Sequence, residues 1–318
     1  MPINTLPEVQ KFTGELDKMF VQKAVTGFFA DNVLRSKFVG AKTVVIPDLD
    51  FYGLVDYDRD NGFNRASMTV AHTPFTMQQD RARSVQIDRE DLDETGVANL
   101  AGQVLGEYVR TQVVPETDAY VLSKLASIAA GTLVYPEGQE GLSAVRGEDA
   151  HTVAWDATKP YSVFSDLVAS VQDNAGYDEE LICFVDSTAY KSLMTSAEFT
   201  KMITVSDFKQ GEIDLKVKKI DNVAIIPVSS GRMKTAFDFV KDDDTGKAGG
   251  FEAAEGAKSI RMLVLPKKAA SLVKKTEKMR VFTPEQNLDA DAYKFDYRIY
   301  YDVFVKKSGV NSIWASVV

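Results

Sequence analysis

The order of its segments constrains this chain more than any single residue does. An apolar stretch with helical spacing comes first, a long polar extended stretch second, and the strongest helix signal third. A turn-rich mixed region follows, and aromatic alternating strands close the chain. That order describes a chain with parts that reach away from its core.

Residues 4–38 read as helical. Val9, Phe12, Leu16, Met19, Phe20, Lys23 and Ala24 follow three-and-four spacing, with Lys23 the polar break, and Phe28, Phe29, Val33, Leu34 and Phe38 continue it. So many large apolar groups on a terminal segment need a surface to cover. Either they dock on the chain's own core, or they form an arm that packs on a neighbour. Residues 42–47 predict a strand ended by Pro47. Residues 48–66 are rich in Asp, Gly, Asn and Arg, with Phe51, Tyr52, Tyr57 and Phe63 interspersed, and residues 67–88 alternate through Val70, Phe75, Met77 and Val85. The simplest arrangement is a long two-stranded arm with a polar tip. An isolated hairpin is marginal in water, so this one calls for another subunit to lie across.

The acidic run Asp88–Glu94 suits the start of a helix. Over residues 97–130, Val97, Leu100, Val104 and Tyr108 form one face and Ala119, Leu122, Leu125 and Ala129 another. Pro115 predicts a kink or break near Val113–Val114, and Gly131 a terminator. Further on, the spacing predicts a helix over 160–175, a buried strand over 181–185, a helix capped by Ser187, and a strand over 223–228. Residues 241–258 read as a mobile loop, and 259–265, 270–282 and 293–305 as strands.

Few residues offer chemistry. The single cysteine, Cys183, rules out an internal disulfide and reads as a small apolar residue in a strand. His72 and His151 have no metal-ligand partner at i+4 and no cysteine cluster, which argues against zinc. No G-x-S-x-G, P-loop or G-x-G-x-x-G pattern occurs. Acids alternate at Asp56, Asp58 and Asp60, but the sixth and twelfth places of a calcium loop hold Asn61 and Ser67, so a solvated hairpin tip is preferred. A net charge of −9 and a pI near 5.0 disfavour a free-standing nucleic-acid binder. One local exception is the stretch Lys258–Arg280, where eight basic residues meet only Glu277. It reads either as a solvated face or as electrostatic matching between subunits with the acidic stretches near Asp48–Asp60 and Asp88–Glu94. No signal-peptide pattern and no run near the roughly 18 apolar residues of a membrane span is present, so the expected setting is a cytoplasm.

With its segments in this order, the chain resembles the major capsid proteins of tailed bacteriophages, which have the Hong Kong 97-type shell fold. The resemblance is carried by Lys42-Thr-Val-Val-Ile-Pro47, Ser84-Val-Gln-Ile-Asp-Arg-Glu-Asp91, Glu116-Thr-Asp118-Ala119, Phe295-Asp-Tyr-Arg-Ile-Tyr-Tyr-Asp-Val-Phe-Val305 and Asn311-Ser-Ile-Trp-Ala315. It implies an α+β fold with an N-terminal arm (1–41), an extended loop with return strand (42–96), a peripheral-domain spine helix (97–131), an axial domain (132–258) and strands returning to the peripheral domain (259–318). It also implies a structural protein rather than an enzyme, with no cofactor, no metal and no membrane. Copies of the chain would form hexamers and pentamers of an icosahedral virion shell, assembled in the host cytoplasm. That shell would enclose double-stranded DNA without sequence-specific binding. Further expected partners are a portal, a possible decoration protein and, since the arm begins almost at Met1, a separate scaffolding protein. Some relatives crosslink a lysine to an asparagine, but nothing in their spacing marks Lys42, Asn61 or Asn64 as reactive. The subunit-interface candidates are Phe12, Met19, Phe20, Phe28 and Phe29 in the arm and Phe51, Tyr52, Tyr57 and Phe63 in the loop. Competing readings are an encapsulin-like compartment around a cargo enzyme, a carboxylate-dependent hydrolase, and a tail or head-decoration protein.

Overall fold

A computed structural model gives the fold. It describes residues 24–30, 37–39, 43–50, 53–57, 59, 69–88, 106, 108–131, 151–196, 198–199, 204–210, 213–220, 222–239, 249–305 and 307–318. The strands run, in chain order, β1 (Lys37–Val39), β2 (Thr43–Asp50), β3 (Thr69–Thr76) and β4 (Gln79–Asp88). After helix α1 (Val114–Ala129) come β5 (Thr152–Ala154), helix α2 (Pro160–Ala175), β6 (Leu181–Asp186) and helix α3 (Ser187–Thr195). The remainder is β7 (Thr204–Gln210), β8 (Ile213–Ile220), β9 (Val223–Val228), β10 (Phe237–Phe239), β11 (Phe251–Ala253), β12 (Ile260–Pro266), β13 (Ala270–Phe282), β14 (Ala292–Val305) and β15 (Trp314–Val317).

Most of these strands form one mixed sheet in the order β5-β15-β12-β6-β9-β8-β7. Alternation along its central strands builds two cores at once. Ile182 and Phe184 of β6, Ala224 and Ile226 of β9, and Leu263 and Leu265 of β12 point toward α1 and the aromatic strand β14. Leu181, Cys183 and Val185, with Val223, Ile225, Met262 and Val264, point the other way, onto Phe164, Leu167 and Val171 of α2 and Leu193 of α3. Both faces of β6 are therefore covered, and its whole length is buried. This is why Leu181–Asp186 reads as a continuous apolar run rather than an alternating one. Cys183 lies in the second core, where burial pushes its thiol well above the usual range.

A second sheet, β13-β14-β4, lies beside the first core, and a third, β1-β2-β3, carries the hairpin. Pro115 has the local effect expected of it. The helix preceding it is widened to a π turn over Val109–Val113, and the Val114 N–H reaches back five residues to the Val109 carbonyl. Pro115 then falls in the first turn of α1, where its missing N–H is least costly. Gly131 closes the helix at a φ of 67°.

Several boundaries differ from expectation. Within the stretch read as helical, Gly27–Ala30 is a single 3-10 turn and Lys37–Val39 is a strand paired with Thr43–Val45. Pro47 does not end β2. It pairs in register with His72 in a part of β2 that β1 does not reach, so one flank is open among the described residues and a proline N is tolerated. The cap of α3 is Asp186, not Ser187: its Oδ1 accepts from the Ala189 N–H at 2.6 Å. A carboxylate already fixed by Arg261 on the other oxygen makes the better cap. Within the stretch read as a loop, Phe251–Ala253 pairs with Phe237–Phe239, with the Phe237 and Phe251 rings 5.4 Å apart. Residues 97–105, 132–150 and 241–248 lie outside the described residues.

Candidate assembly surface

The hairpin β2–β3 belongs to a sheet apart from the large one, and the first described residues, from Ala24 on, enter the first core. The hairpin keeps eight antiparallel pairs from Thr43↔Thr76 to Asp50↔Thr69, while β1 flanks only its first three residues. Beyond β2, residues 53–57 are open to solvent, and Leu54, Val55 and Tyr57 are among the few large apolar side chains exposed anywhere among the described residues. Covering a single exposed leucine is worth about 1.5–3 kcal/mol. A tip of this composition is therefore suited to contact, not to water.

The hairpin's root is fixed by buried polar contacts. Chain direction changes at Met77–Gln78, between β3 and β4. Phe75 packs on Phe304 with ring centroids 5.3 Å apart, and Met77 is buried beside it. The Gln78 N–H donates to Oδ2 of Asp302 at 3.0 Å. Asp302 is fully buried. Its Oδ1 accepts from the Tyr120 hydroxyl (2.9 Å), the Lys124 ammonium (2.6 Å) and its neighbour's Val303 N–H (2.7 Å). The Tyr300 hydroxyl completes the elbow by donating to the Met77 carbonyl at 3.2 Å. Burial and the adjacent carboxylate together push the Tyr120 phenol far up, so it stays a donor. Further along, Arg81 on β4 grips Glu116 on α1 through two nitrogens, at 2.6 and 3.3 Å.

The other root repeats the chemistry. Asp118 on α1 is wholly buried and accepts from the Val25 N–H (3.1 Å), the Thr26 N–H (3.0 Å), the Thr26 hydroxyl (2.6 Å) and Arg232 (3.0 Å). Burial pushes its carboxyl up, against the pull of these donors. Behind this clasp, Phe28 and Phe29 stack into the first core, their rings 6.1 and 6.2 Å from that of Phe184. Of the two possibilities for the apolar N-terminal segment, these two residues take the first: they are covered by the chain's own core. Tyr57 is exposed at the hairpin tip. Phe12, Met19, Phe20, Phe51, Tyr52 and Phe63 lie outside the described residues.

Sequence reasoning passed over Leu54 and Val55, although two adjacent aliphatics in the polar run Gly53-Leu-Val-Asp-Tyr57 are a readable signal. It also gave no role to Glu116 and Asp118, whose function shows only once their distant partners are in place. Among the described residues no three His, Cys, Asp or Glu side chains are grouped to hold a metal ion. His151 stacks on Trp314 with centroids 4.7 Å apart. Asp56 sits in the exposed tip, and Asp58 and Asp60 lie outside the described residues. No helix among the described residues is long and apolar enough to cross a membrane.

No family model and no curated protein matches the chain. Solved structures do. The mature capsid of bacteriophage PhiM1 matches at a TM-score of 0.55 and 15% identity, over 87% of this chain and 82% of that one. The capsid of cyanophage P-SCSP1u matches at 0.54 and 15%, over 88% and 84%. A virus-like particle from Pyrococcus furiosus matches at 0.50 and 8%, over 99% and 100%. The chain thus has the mixed helix-and-sheet fold of phage capsid structures.

Proposed function

We propose that the chain is the structural subunit of a closed icosahedral shell, the major capsid protein of a phage virion that encloses double-stranded DNA. The observation that carries this reading is the combination of a capsid fold with a protrusion rigid at its root and apolar at its tip. Such a part gains its stability only on a neighbour, which makes assembly cooperative. In this reading residues 1–41 are an arm, 42–96 an extended loop with its return strand, 97–131 a spine, 132–258 an axial domain and 259–318 the strands that return to the peripheral domain. Phe12, Met19 and Phe20, with Phe51, Tyr52, Tyr57 and Phe63, supply contacts between copies. Hexamers and pentamers form in the host cytoplasm with a scaffolding protein and a portal, and the finished shell offers its outer face to a decoration protein. The role is structural and uses no cofactor. DNA is enclosed without sequence readout, in keeping with the acidic balance of the chain.

Electron microscopy of the purified protein, alone and with its candidate scaffold at near-physiological salt, tests this. Closed polyhedral shells or capsomer rings are expected. A uniform monomer in both preparations overturns it.

The match to the Pyrococcus furiosus particle, which spans nearly all of both chains, favours a second reading, a compartment shell around a protein cargo. Purified particles containing an enzyme instead of nucleic acid would select it.

A further inference from the structure

The turn joining β13 to β14 is a preformed knob. Its backbone is tied by the Gln286 and Asn287 N–H groups to the Thr283 carbonyl, at 2.9 and 3.0 Å, and by the Asn287 side-chain amide to the Ala292 carbonyl at 2.9 Å. Lys294 holds Asp289 at 2.7 Å. At the crest, Leu288 is 98% exposed. Acids surround it at Glu285, Asp289 and Asp291. An ordered turn that presents one bare leucine in an acidic frame has little conformational freedom left to lose on docking.

The outer face of the same sheet carries a shape and charge that fit it. Arg298 on β14 lies between Lys278 on β13 and Ala82 on β4, and Asp296 lies between Arg280 and Ser84. The small side chains of Ala82 and Ser84 leave a groove of about 590 Å³, whose walls include Arg83, Lys275, Lys278 and Arg280. Arg298 is occupied by Asp80 through two contacts at 2.6 and 2.9 Å. Lys278 and Arg280 make no ion pair with any described residue. Thus a basic groove sits on a chain whose net charge is −9.

We infer that the Leu288 turn of one copy docks in the Ala82–Ser84 groove of a second copy. The turn and the groove are different patches of one sheet, and where the contact is not reciprocated it is heterologous and propagates from copy to copy, either closing rings or extending a lattice. Leu288 fills the space over Ala82, while Lys278 and Arg280 face Asp291 and Glu285. Charge matching of this kind sets register and orientation more than affinity. The inference rests on the shell reading and deepens it by naming which surfaces meet.

Disulfide trapping tests it. Leu288→Cys and Ala82→Cys subunits are mixed under shell-forming conditions and oxidised. Cys183 is buried with its thiol pushed up, so it does not compete. A crosslinked dimer that appears only in the mixture, persists in denaturant and is lost on adding a reductant, is expected. In parallel, Leu288→Asp should raise the protein concentration needed for assembly by on the order of tenfold or more while the melting temperature holds. Wild-type shells with no 288–82 crosslink and an unchanged Leu288→Asp threshold overturn the contact but leave the shell reading standing. So does a groove that binds a short DNA duplex with steep salt dependence and gives no crosslink. A wild-type chain that never assembles overturns both.

Discussion

Asp302→Asn is the most exacting perturbation of the elbow. The carboxylate receives four donors: Gln78 N–H on one oxygen, and Tyr120, Lys124 and Val303 N–H on the other. An asparagine of the same shape has one acceptor oxygen. If that oxygen keeps the three-donor side, its NH2 faces the Gln78 N–H, donor against donor. If it flips, three donors are stranded instead. In either orientation the Lys124 ammonium, whose side chain is only 13% exposed, loses its counter-charge. Breaking a buried pair in this way costs about 3–5 kcal/mol. Even at 2 °C per kcal/mol, the low end for large domains, the melting temperature should fall by about 6 °C or more. A local readout is more specific. The Gln78 amide should exchange on the order of a hundredfold faster in the variant, since about 3 kcal/mol of its local opening energy is removed. Amides at the centre of β6 should slow or speed only with global stability. Thermal unfolding together with hydrogen exchange resolved over residues 75–80 checks both. An unchanged melting temperature, or a Gln78 amide no more labile than in wild type, would refute the elbow as an ionic clamp.

Other outcomes follow from burial. Phe29→Ala empties a fully buried site against Phe28 and Phe184 and should destabilise the subunit by about 3–5 kcal/mol, seen as a lower denaturation midpoint or as insoluble protein. Leu54→Ser is the contrasting change: the side chain is wholly exposed, so the midpoint should move by no more than about 0.5 kcal/mol, while shells fail to form or form at higher concentration. Cys183 should resist alkylation in the native subunit and react on unfolding. Its folded-state pKa is raised, so its contribution to stability is present below the unfolded value of about 9 and is lost as pH rises above it. Cys183→Ala should flatten that alkaline fall in a pH series of melts.

What the sequence discloses depends on whether its signal is local. β13 and β14 are long runs of thirteen and fourteen residues, and their limits, Ala270–Phe282 and Ala292–Val305, are close to those read from pattern alone. Helix α2 has one continuous apolar stripe and matches its expected span. The pair β10–β11 escaped notice because three-residue strands have no period to detect; they exist through a partner more than ten residues away. The end of the hairpin was similarly opaque. Residues 67–88 look like one extended run, yet the chain splits at Met77–Gln78, with β3 returning to β2 and β4 leaving for β14. Nothing near Gln78 in the sequence marks the break, since its acceptor is Asp302, 224 residues away. The candidate surface shows the same division. The aromatic residues of the loop were conspicuous by type. Asp118 and Asp302 looked like ordinary charges until burial gave them their weight.

The choice of carboxylates at both roots has a mechanical reason. Apolar burial is non-directional, and a segment held by it alone slides and swivels at little cost. A buried carboxylate that accepts several donors fixes position and angle together, because each lost donor is an unsatisfied buried group. For a long lever the angle matters most. An eight-residue strand at 3.4 Å per residue reaches about 27 Å. A swivel of about 10° at its base would therefore displace the tip by roughly 5 Å, about the spacing between neighbouring strands. An error of that size would set Leu54 against the wrong row of a neighbour. Ionic clamps at Gln78 and Thr26 keep their segments well below that tolerance, while Leu54 and Val55 stay exposed for their contact. Rigidity is thus concentrated at α1, where Glu116, Asp118, Tyr120 and Lys124 lie within three turns of one helix and hold both the hairpin root and the stretch Val25–Thr26. A helix that carries four anchoring side chains has little freedom to drift in sequence without moving what it anchors. This makes α1, rather than the exposed tips, the part of the subunit where a single substitution should alter the geometry of every contact at once.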